Sequence, residues 1–477
     1  GAISLNTAQA MGLTLFATRD DTVTATVRNS GNMDLTATSI ASSLGISANL
    51  LGTGTGTGET SLTLDNSGTI AMGSGTALTL AAKTITATNS AALSTTGSFS
   101  DVVRLTGSGE GSAISFTTTA DVIATGANSD AFAVNGTGGT ASVILDGADA
   151  STAADSAVLR VTGSVATTFT VRNGGSVTGD LLFADGADRL VLESGGTMLG
   201  DVDFGGGNDQ FTLGATGFRG AISLGAGDDT LVLQAPTSGT FNFIDYVDGG
   251  TGNDVLELAM AAGSSSNFNI AGLDVRNVET IAQTGNASIT YTGSSSIATR
   301  YELRQGSLIH NATTATIDVV TSAGTSLALS GQLRNLTVGG DFAPGGAGSI
   351  GTATVLGNFT SSAGSRTLID ILANGTGDLI DVTGTATLSS GTVVVTSISP
   401  ESAFEGDLSI AILRAGGGVT GTFAGLDSSA LPFLELSLAY AANSVSLVAT
   451  MPDEVPAFAP VAQTFNQRQV ATAIDAH

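Results

Sequence analysis

Four aspartates recur at near-equal spacing in this chain and are its clearest candidate functional residues. Each closes a glycine-rich turn and precedes a short apolar run, and the separations between them are 21, 20 and 25 residues. The four are Asp188, Asp209, Asp229 and Asp254. A repeat of this length predicts one aspartate per coil of a stacked structure, with successive carboxylates about 5 Å apart. At so short a distance, carboxylates repel one another unless water solvates them or a cation bridges them.

The last of these turns resembles a known calcium motif. Residues 249–257, GGTGNDVLE, match the GGxGxDxUx nonapeptide of repeats-in-toxin β-rolls, and the other three copies are degenerate. The resemblance implies calcium held between stacked turns, where carboxylates and turn carbonyls can supply the roughly six to eight oxygens that the ion takes. Such rolls repeat about every nine residues, whereas here one copy falls in each coil of about twenty. The alternative is that Asn and Asp simply form the turn by bonding their own backbone.

Acidic residues are concentrated around this repeat. Residues 179–258 hold 13 acidic side chains against Arg189 and Arg219. The whole chain has 41 acidic and 15 basic residues, Lys83 is its only lysine, and its net charge is -26. That charge repels phosphate backbones and anionic lipid surfaces, so we expect no nucleic-acid partner.

Residues for catalysis are few. The two histidines are His310 and His477, so a catalytic triad or a histidine metal site would have to use His310. We predict that His310 lies on the surface of a coil and is not a base, and we predict no catalytic and no cofactor-binding residues.

One enzymatic alternative stays open. β-Helix enzymes that cleave polysaccharides use paired carboxylates along a groove. Four aspartates could be arranged as such pairs: Asp201, Asp203, Asp228 and Asp229. Sugar clefts usually present exposed aromatic platforms, and this chain has no Trp and four Tyr. A groove with paired carboxylates and an exposed aromatic would favour the enzyme.

Short strands are predicted on either side of these turns. Apolar residues alternate over four to eight positions behind Asn-Ser-Gly or similar turns, as in residues 25–35 and 62–72, and helical spacing is nearly absent before Pro452. The 65 glycines suit many tight turns, and the absence of cysteine excludes disulfides. We predict an all-β chain, a single right-handed parallel β-helix (β-solenoid) with a narrow aliphatic core and a short C-terminal α-helix. The alternative is an array of small β-sandwich domains.

The C-terminal third resembles one secretion family. Residues 342–352 (FAPGGAGSIGT), 377–395 (GDLIDVTGTATLSSGTVVV), 411–426 (AILRAGGGVTGTFAGL) and 431–449 (LPFLELSLAYAANSVSLVA) occur in the order found at the end of a type V autotransporter passenger. Residues 278–308 are similar to the repeat that often precedes that module. The resemblance implies a Gram-negative bacterial protein that is exported through the outer membrane to the cell surface or secreted.

The resemblance also implies a domain plan. Residues 1–330 are β-helix repeats, and residues 331–450 form an autochaperone-like module that folds first and templates the other coils. We predict core positions in that module for Phe342, Phe359, Phe423 and Phe433. Residues 451–477 are a linker with Pro452, Pro456 and Pro460, followed by a helix that leads towards an outer-membrane barrel in the precursor.

The expected function is therefore that of a non-enzymatic passenger: an adhesin, a self-associating protein or a structural extracellular rod. The expected partners are a second copy, in an oligomer or filament-like assembly, or a cell-surface or glycan ligand. A carbohydrate-active enzyme is the alternative, and calcium is the one ion that the sequence suggests.

Overall fold

The computed structural model describes residues 3–5, 13–16, 22–36, 44–50, 59–107, 110–214, 217–234, 244–260, 268–269, 273–292, 299–312, 317–404, 406–432, 434–450 and 459–475. Strand accounts for 56% and helix for 4% of the chain, and the strands stack in parallel sheets. The predicted all-β solenoid with one short C-terminal helix is confirmed. Two compact units are present: Gly1–Met260 with Gly272–Ile281, and Ala261–Ala271 with Ala282–His477. The segment boundaries at residues 330 and 450 stay a prediction.

Each coil of the first unit passes through three short strands on three faces. One coil holds Thr60–Asn66, Ile70–Met72 and Thr76–Ala82, and the chain then returns to the first face at Thr84–Asn89. Alternate residues of a strand point to opposite sides, so the apolar set faces the interior, where Leu62 and its equivalents are buried. Returning strands pair in parallel with the strand of the previous coil.

The strands of each face follow one another along the stack. Face 1 holds Ile3–Leu5, Val23–Asn29, Thr60–Asn66, Thr84–Asn89, Ala113–Thr118, Thr140–Asp146, Ala166–Arg172, Arg189–Leu192, Gln210–Leu213, Thr230–Leu233, Val255–Leu258 and Thr280–Gln283. Face 2 holds Met33–Leu35, Ile70–Met72, Leu93–Thr95, Val122–Ala124, Asp149–Ser151, Ser176–Thr178, Thr197–Leu199 and the start of Gly217–Ser223. Face 3 holds Leu13–Phe16, Leu44–Asn49, Thr76–Ala82, Val103–Gly107, Phe132–Gly136, Ala157–Gly163, Asp180–Leu182, Val202–Asp203, the end of Gly217–Ser223, Ile244–Asp248 and Val275–Arg276.

Phenylalanine rings pack among the aliphatic side chains in the interior of the first unit. Phe132 lies edge-on to Phe116, with ring centroids 5.7 Å apart, and to Phe169, at 6.1 Å. Further along the stack Phe183 and Phe204 are stacked at 4.9 Å. Most buried positions of this unit are nevertheless Val, Ile, Leu or Ala, as the predicted aliphatic core requires. Although aromatics are only 5% of the chain, these rings lie on the inward side of the strands, where they bury large apolar areas.

Buried amides connect successive coils at the end of face 1. Asn29 Nδ2 donates to Asn66 Oδ1 at 2.7 Å, and Asn66 Nδ2 donates to Asn89 Oδ1 at 2.6 Å. Asn89 Nδ2 then donates to Thr118 Oγ1 at 2.9 Å. Because buried polar groups are costly without a partner, this column fixes the register of one coil on the next.

The second unit has the same construction with its own three faces. Its first face holds Arg300–Leu303, Asp318–Thr321, Asn335–Val338, Phe359–Ser361, Ala386–Ser389 and Val419–Thr422. Its second face holds Phe268–Asn269, Ser288–Tyr291, Ser307–His310, Ser326–Leu329, Asp341–Pro344, Arg366–Ile371, Thr392–Ser397 and Gly425–Asp427. Its third face holds Gln332–Leu333, Thr352–Val355, Leu379–Val382, Leu408–Ala415, Ser444–Thr450 and Glu435–Ala441. A short 3-10 helix covers Glu401–Ala403.

An antiparallel hairpin ends this third face. Ser444–Thr450 pairs antiparallel with Leu408–Ala415 on one side and with Glu435–Ala441 on the other. At the hairpin turn, Asn443 Nδ2 donates to the carbonyl of Gly416 at 3.2 Å. The parallel stacking predicted up to residue 449 therefore stops at Leu408–Ala415 on this face. Because an open parallel edge presents unpaired N–H and C=O groups, the hairpin covers a surface on which another chain could add.

The C-terminal helix spans Phe465–Asp475, as predicted, after a 3-10 turn at Ala459–Val461. Its first turn is a capping box, in which the Gln467 N–H donates to Thr464 Oγ1 and the Thr464 N–H donates to Gln467 Oε1. Among the described residues, no helix is both long and apolar enough to cross a membrane. Of the linker prolines, Pro452 and Pro456 lie outside the described residues.

Three of the four predicted core aromatics of the second unit are buried. Phe342 and Phe359 are completely buried with ring centroids 6.1 Å apart, and Phe423 is also buried. Phe433 lies outside the described residues. Phe342 and Phe359 belong to adjacent faces, so their contact joins two sheets of the coil.

Truncation of Phe359 tests this packing. We expect Phe359→Ala to lower the free energy of unfolding by about 3 to 5 kcal/mol, because it opens a cavity between two faces. Phe465→Ala, at an exposed helix position, is the matched control and should change the unfolding free energy little. Urea titration followed by circular dichroism measures both. An equal effect of the two variants would contradict the assignment of Phe359 to the core.

Candidate functional site

The four aspartates of the repeat lie at the corner between face 3 and face 1 of the first unit. Each follows a tight turn and immediately precedes a face 1 strand, as Asp209 precedes Gln210–Leu213. The turns stack closely: a Cβ on Gly227 would lie 1.7 Å from the carbonyl oxygen of Gly207, and one on Gly252 would lie 1.8 Å from that of Gly227. Gly227 and Gly252 also have φ of 144° and 145°, in the region that favours glycine. Glycine is required here because each turn rests directly on the previous one.

The aspartates form one continuous column, which we call the aspartate column. Oδ1 of Asp209 accepts the N–H of Asp188 at 2.6 Å, Oδ1 of Asp229 accepts that of Asp209 at 2.7 Å, and Oδ1 of Asp254 accepts that of Asp229 at 2.9 Å. Each bond joins a side chain to the backbone of the coil before it. The structure therefore brings together all four residues that the sequence singled out.

Two further residues complete the column. At one end Oδ1 of Asp188 accepts the N–H of Thr167 at 2.6 Å, and at the other Oε2 of Glu279 accepts the N–H of Asp254 at 2.8 Å. Glu279 follows Asp254 by 25 residues, the same step as between Asp229 and Asp254. That spacing was the available signal, but the glycine-rich turn is absent there and glutamate stands in place of aspartate.

Burial raises the pKa of every aspartate in the column. Desolvation, together with the smaller effect of the neighbouring carboxylates of Asp229 and Asp188, raises the pKa of Asp209 to about 8 despite the lowering effect of its hydrogen bond from the Asp188 N–H. Desolvation likewise raises the pKa of Asp188 and of Asp254 to about 6, and it raises that of Asp229. The carboxyl groups are therefore pushed towards the neutral, protonated form.

One oxygen of each carboxyl is less well satisfied than the other. Oδ2 of Asp209, Asp229 and Asp254 is buried and has no hydrogen-bond partner within the described part of the chain. The carbonyls of Gly205 and Gly225 in the adjacent turns accept backbone bonds from the next coil. The atoms left without a partner are these carboxylate oxygens. Such oxygens can serve as ligands of calcium or can share a proton.

The column differs from a conventional metal cluster. Among the described residues, no group of three or more His, Cys, Asp or Glu side chains is placed to hold one metal ion. The carboxyls lie one above another, and one oxygen of each is already bonded to a backbone N–H. Calcium would have to be held by Oδ2 atoms of successive coils together with turn carbonyls. Calcium at Asp188, Asp209, Asp229 and Asp254 stays a prediction.

The aspartates of the enzymatic alternative have different surroundings. Asp201, Asp203 and Asp228 are exposed, whereas Asp229 is buried in the column. Asp201 Oδ1 accepts the N–H of Ala221 at 2.8 Å, and Asp228 Oδ1 accepts the N–H of Asn253 at 2.9 Å. Asp201 and Asp228 therefore bond to the backbone of neighbouring coils, whereas Asp203 Oδ1 accepts the N–H of Gly205 in its own turn.

His310 is not on the surface, so that prediction was wrong. The imidazole is completely buried in the second unit and stacks on the ring of Tyr291, with centroids 5.0 Å apart. Burial lowers its pKa to about 4, so the ring is neutral. His310 occupies an inward position of Ser307–His310, next to Leu329, where period-two alternation alone would have placed it inside. His477 lies outside the described residues.

No known protein family matches the sequence. No curated protein is significantly similar to it. The parallel stacked sheets establish the β-solenoid architecture.

The aspartate column predicts a pH dependence. The folded-state pKa values are raised above the ordinary carboxyl value, so the folded state binds more protons and the stability of the first unit should fall as the pH rises from about 4 through about 8. Asp209→Asn should reduce this loss, since an amide keeps the acceptor oxygen without a charge, as in the buried Asn66. Asp203→Asn, at an exposed position, is the control and should leave the profile unchanged. Thermal midpoints from pH 4 to 8 measure this dependence of stability on pH. A wild-type midpoint that rises with pH would contradict the prediction.

Calcium binding by the aspartate column is tested separately. If the column binds calcium only when folded, millimolar calcium should raise the thermal midpoint at pH 7.5 relative to a chelator. The Asp229→Asn variant, which loses one carboxylate from the middle of the column, should respond less. Identical wild-type melts with calcium and with chelator would exclude calcium from this column.

Proposed function

We propose that this chain is a non-enzymatic, extracellular passenger of the autotransporter type that acts as a self-associating structural element. The observation that carries the proposal is the solenoid itself, in which successive coils place regular rows of side chains on long lateral faces. Solenoids generally use such extended surfaces for binding. The alternative of a carbohydrate-active enzyme has weaker support, since its exposed candidate aspartates bond to neighbouring backbone.

The end of the stack supports lateral association. The hairpin of Glu435–Ala441 and Ser444–Thr450 covers the last parallel strand of the third face of the second unit. The N–H of Val419 also donates to the carbonyl of Ala442, at 2.8 Å. The last parallel strand of that face is therefore already paired, and Glu435–Ala441 is the outer strand of the sheet. Association between copies would use the sides of the solenoid.

The assignment to the autotransporter type rests on the sequence blocks within residues 331–449, all in the second unit. In this proposal the chain is exported from a Gram-negative cell, and residues 331–450 fold first and template the coils that precede them. Nearest-neighbour stacking makes such an order physically reasonable, because a new coil needs a formed neighbour to bury its apolar edge. The buried contact between Phe342 and Phe359 belongs to this segment.

Limited proteolysis tests the proposed order. During partial unfolding in urea, residues 331–449 should be the last to be cleaved, because the most stable part of a solenoid frays last. Mass spectrometry identifies the protected fragment. Recovery of an intact fragment of the first unit after digestion of residues 331–449 would contradict the templating role.

Self-association is tested with beads that carry the full chain. The net charge of -26 opposes contact between copies, so clustering should increase as salt shortens the screening length from about 30 Å at 0.01 M to about 8 Å at 0.15 M. Beads carrying an unrelated acidic protein of similar charge are the control. Absence of clustering at every salt concentration and coating density would contradict self-association.

A further inference from the structure

One corner of the second unit carries an extended glycine-rich loop. Residues 345–351, GGAGSIG, connect Asp341–Pro344 on the second face to Thr352–Val355 on the third, whereas residues 330–331 make that connection in the previous coil. The two ends of the loop touch, because a Cβ on Gly351 would lie 2.3 Å from the Cα of Gly345. The residues between them therefore project from a closed neck. We call residues 345–351 the strap.

The strap lies over the outward side of the second face. Period-two alternation turns Ala343 and Asp370 outward, yet Ala343 is 6% and Asp370 is 5% exposed. Another outward position of this face is more open to solvent, since Ile309 is 37% exposed. The N–H of Gly348, in the strap, donates to Oδ2 of Asp370 at 2.6 Å. The strap therefore covers this part of the face.

Two buried carboxyl groups hold the strap in this position. The bond from Gly348 to Asp370 is the first contact. In the second, the N–H of Gly351 donates to Oδ1 of Asp378 at 2.7 Å. Oδ2 of Asp378 accepts the N–H of Asp370 at 2.8 Å, and Oδ1 of Asp370 accepts the hydroxyl of Thr396. All four carboxyl oxygens therefore accept a hydrogen bond, and two of these bonds come from the strap.

The two carboxyls are neighbours without a basic partner. Asp378 is 1% exposed, and neither Asp370 nor Asp378 forms an ion pair within the described part of the chain. Desolvation, with a smaller contribution from the Asp370 carboxylate, raises the pKa of Asp378 to about 7 despite its two backbone hydrogen bonds. The other described charged residues of the surrounding strands and loops are exposed or half-exposed: Asp341, Arg366, Asp381, Glu401, Asp407, Arg414 and Asp427. Ionising both carboxyls therefore buries two like charges next to each other.

We propose that the strap is a proton-controlled cover, which is closed while the Asp370–Asp378 pair holds a proton and opens when both carboxyls are ionised. Opening lets water reach both carboxylates, which removes the cost of keeping two like charges buried side by side. The same movement uncovers Ala343. On the outward side of the face Ala343 is in register with Ala328, which is in register with Ile309, so an open strap lengthens an exposed apolar row.

The direction of the pH dependence follows from the closed form. Because the pKa of Asp378 is raised there, closing the strap binds a proton, so the closed strap loses stability as the pH rises from about 4 to about 7. One proton changes the opening equilibrium by up to about tenfold per pH unit. Protection of the Gly348 and Gly351 amides against hydrogen exchange should therefore fall by up to that factor over this interval, after correction for the intrinsic exchange rate, and level off above it.

Hydrogen exchange of the full chain, read by mass spectrometry of peptides that contain the strap, tests the proposal with three variants. Asp378→Ala removes the acceptor of the Gly351 N–H, so the strap should exchange fast at every pH. Asp370→Asn keeps an acceptor for Gly348 and removes one of the two charges, so protection should fall less steeply with pH than in the wild type. Asp381→Asn, at an exposed position, changes the net charge equally and should follow the wild type.

A second peptide separates strap opening from opening of the whole unit. Peptides that contain Asp318–Thr321, a strand of the same unit, should keep their protection over the same pH range. Circular dichroism should show that all three variants keep the strand content. Parallel loss of protection in the strap and in Asp318–Thr321 would overturn the proposal. Strap protection that does not change with pH in the wild type, or that survives in Asp378→Ala, would also overturn it.

Discussion

The structure depends on how each coil satisfies the backbone N–H groups at its corners. In the first unit the acceptor is repeatedly a side chain from the next coil along the stack. Ser129 Oγ accepts the N–H of Ser100 at 2.9 Å, and Ser156 Oγ accepts that of Ser129 at 2.8 Å. The aspartate column does the same over a longer run, as when Asp229 accepts the N–H of Asp209. Because a corner N–H has no water to bond once it is buried, a coil is complete only when the next coil is in register.

The choice of acceptor gives different parts of the stack different properties. In the early coils neutral Asn66 and Asn89 act as both donor and acceptor, so the column is fully satisfied. In the later coils the carboxyl of Asp209 or Asp229 accepts one N–H and leaves Oδ2 without a partner. A buried carboxyl is either desolvated as an anion or holds a proton, so these coils should respond to pH or cations and the asparagine coils should not. The close glycine turns, the buried carboxyls and the raised pKa values are then consequences of one geometry.

Period-two alternation was sufficient to predict the fold class, and the repeat spacing was sufficient to predict the aspartate column. One turn residue per coil must stack when the strands stack, so the spacing of Asp188, Asp209 and Asp229 is enough to indicate a column. The spacing did not show that the carboxyls point inward and take backbone N–H groups. Nor did composition show that rings such as Phe132 point inward, since a low aromatic fraction does not say on which side of a strand those rings lie. His310 was assigned from its polarity, although its position in the alternation indicated the interior.

The most direct measurement of the central claim is amide hydrogen exchange at the aspartate column. The account predicts that Asp254→Ala, which removes the acceptor of the Asp229 N–H, speeds exchange at Asp229 strongly and leaves the Asp188 N–H protected by Asp209. Asp254→Asn should keep the protection of Asp229, because its amide oxygen can replace Oδ1. Unchanged exchange at Asp229 in Asp254→Ala, with the fold intact by circular dichroism, would contradict the claim that each corner is held by the next coil.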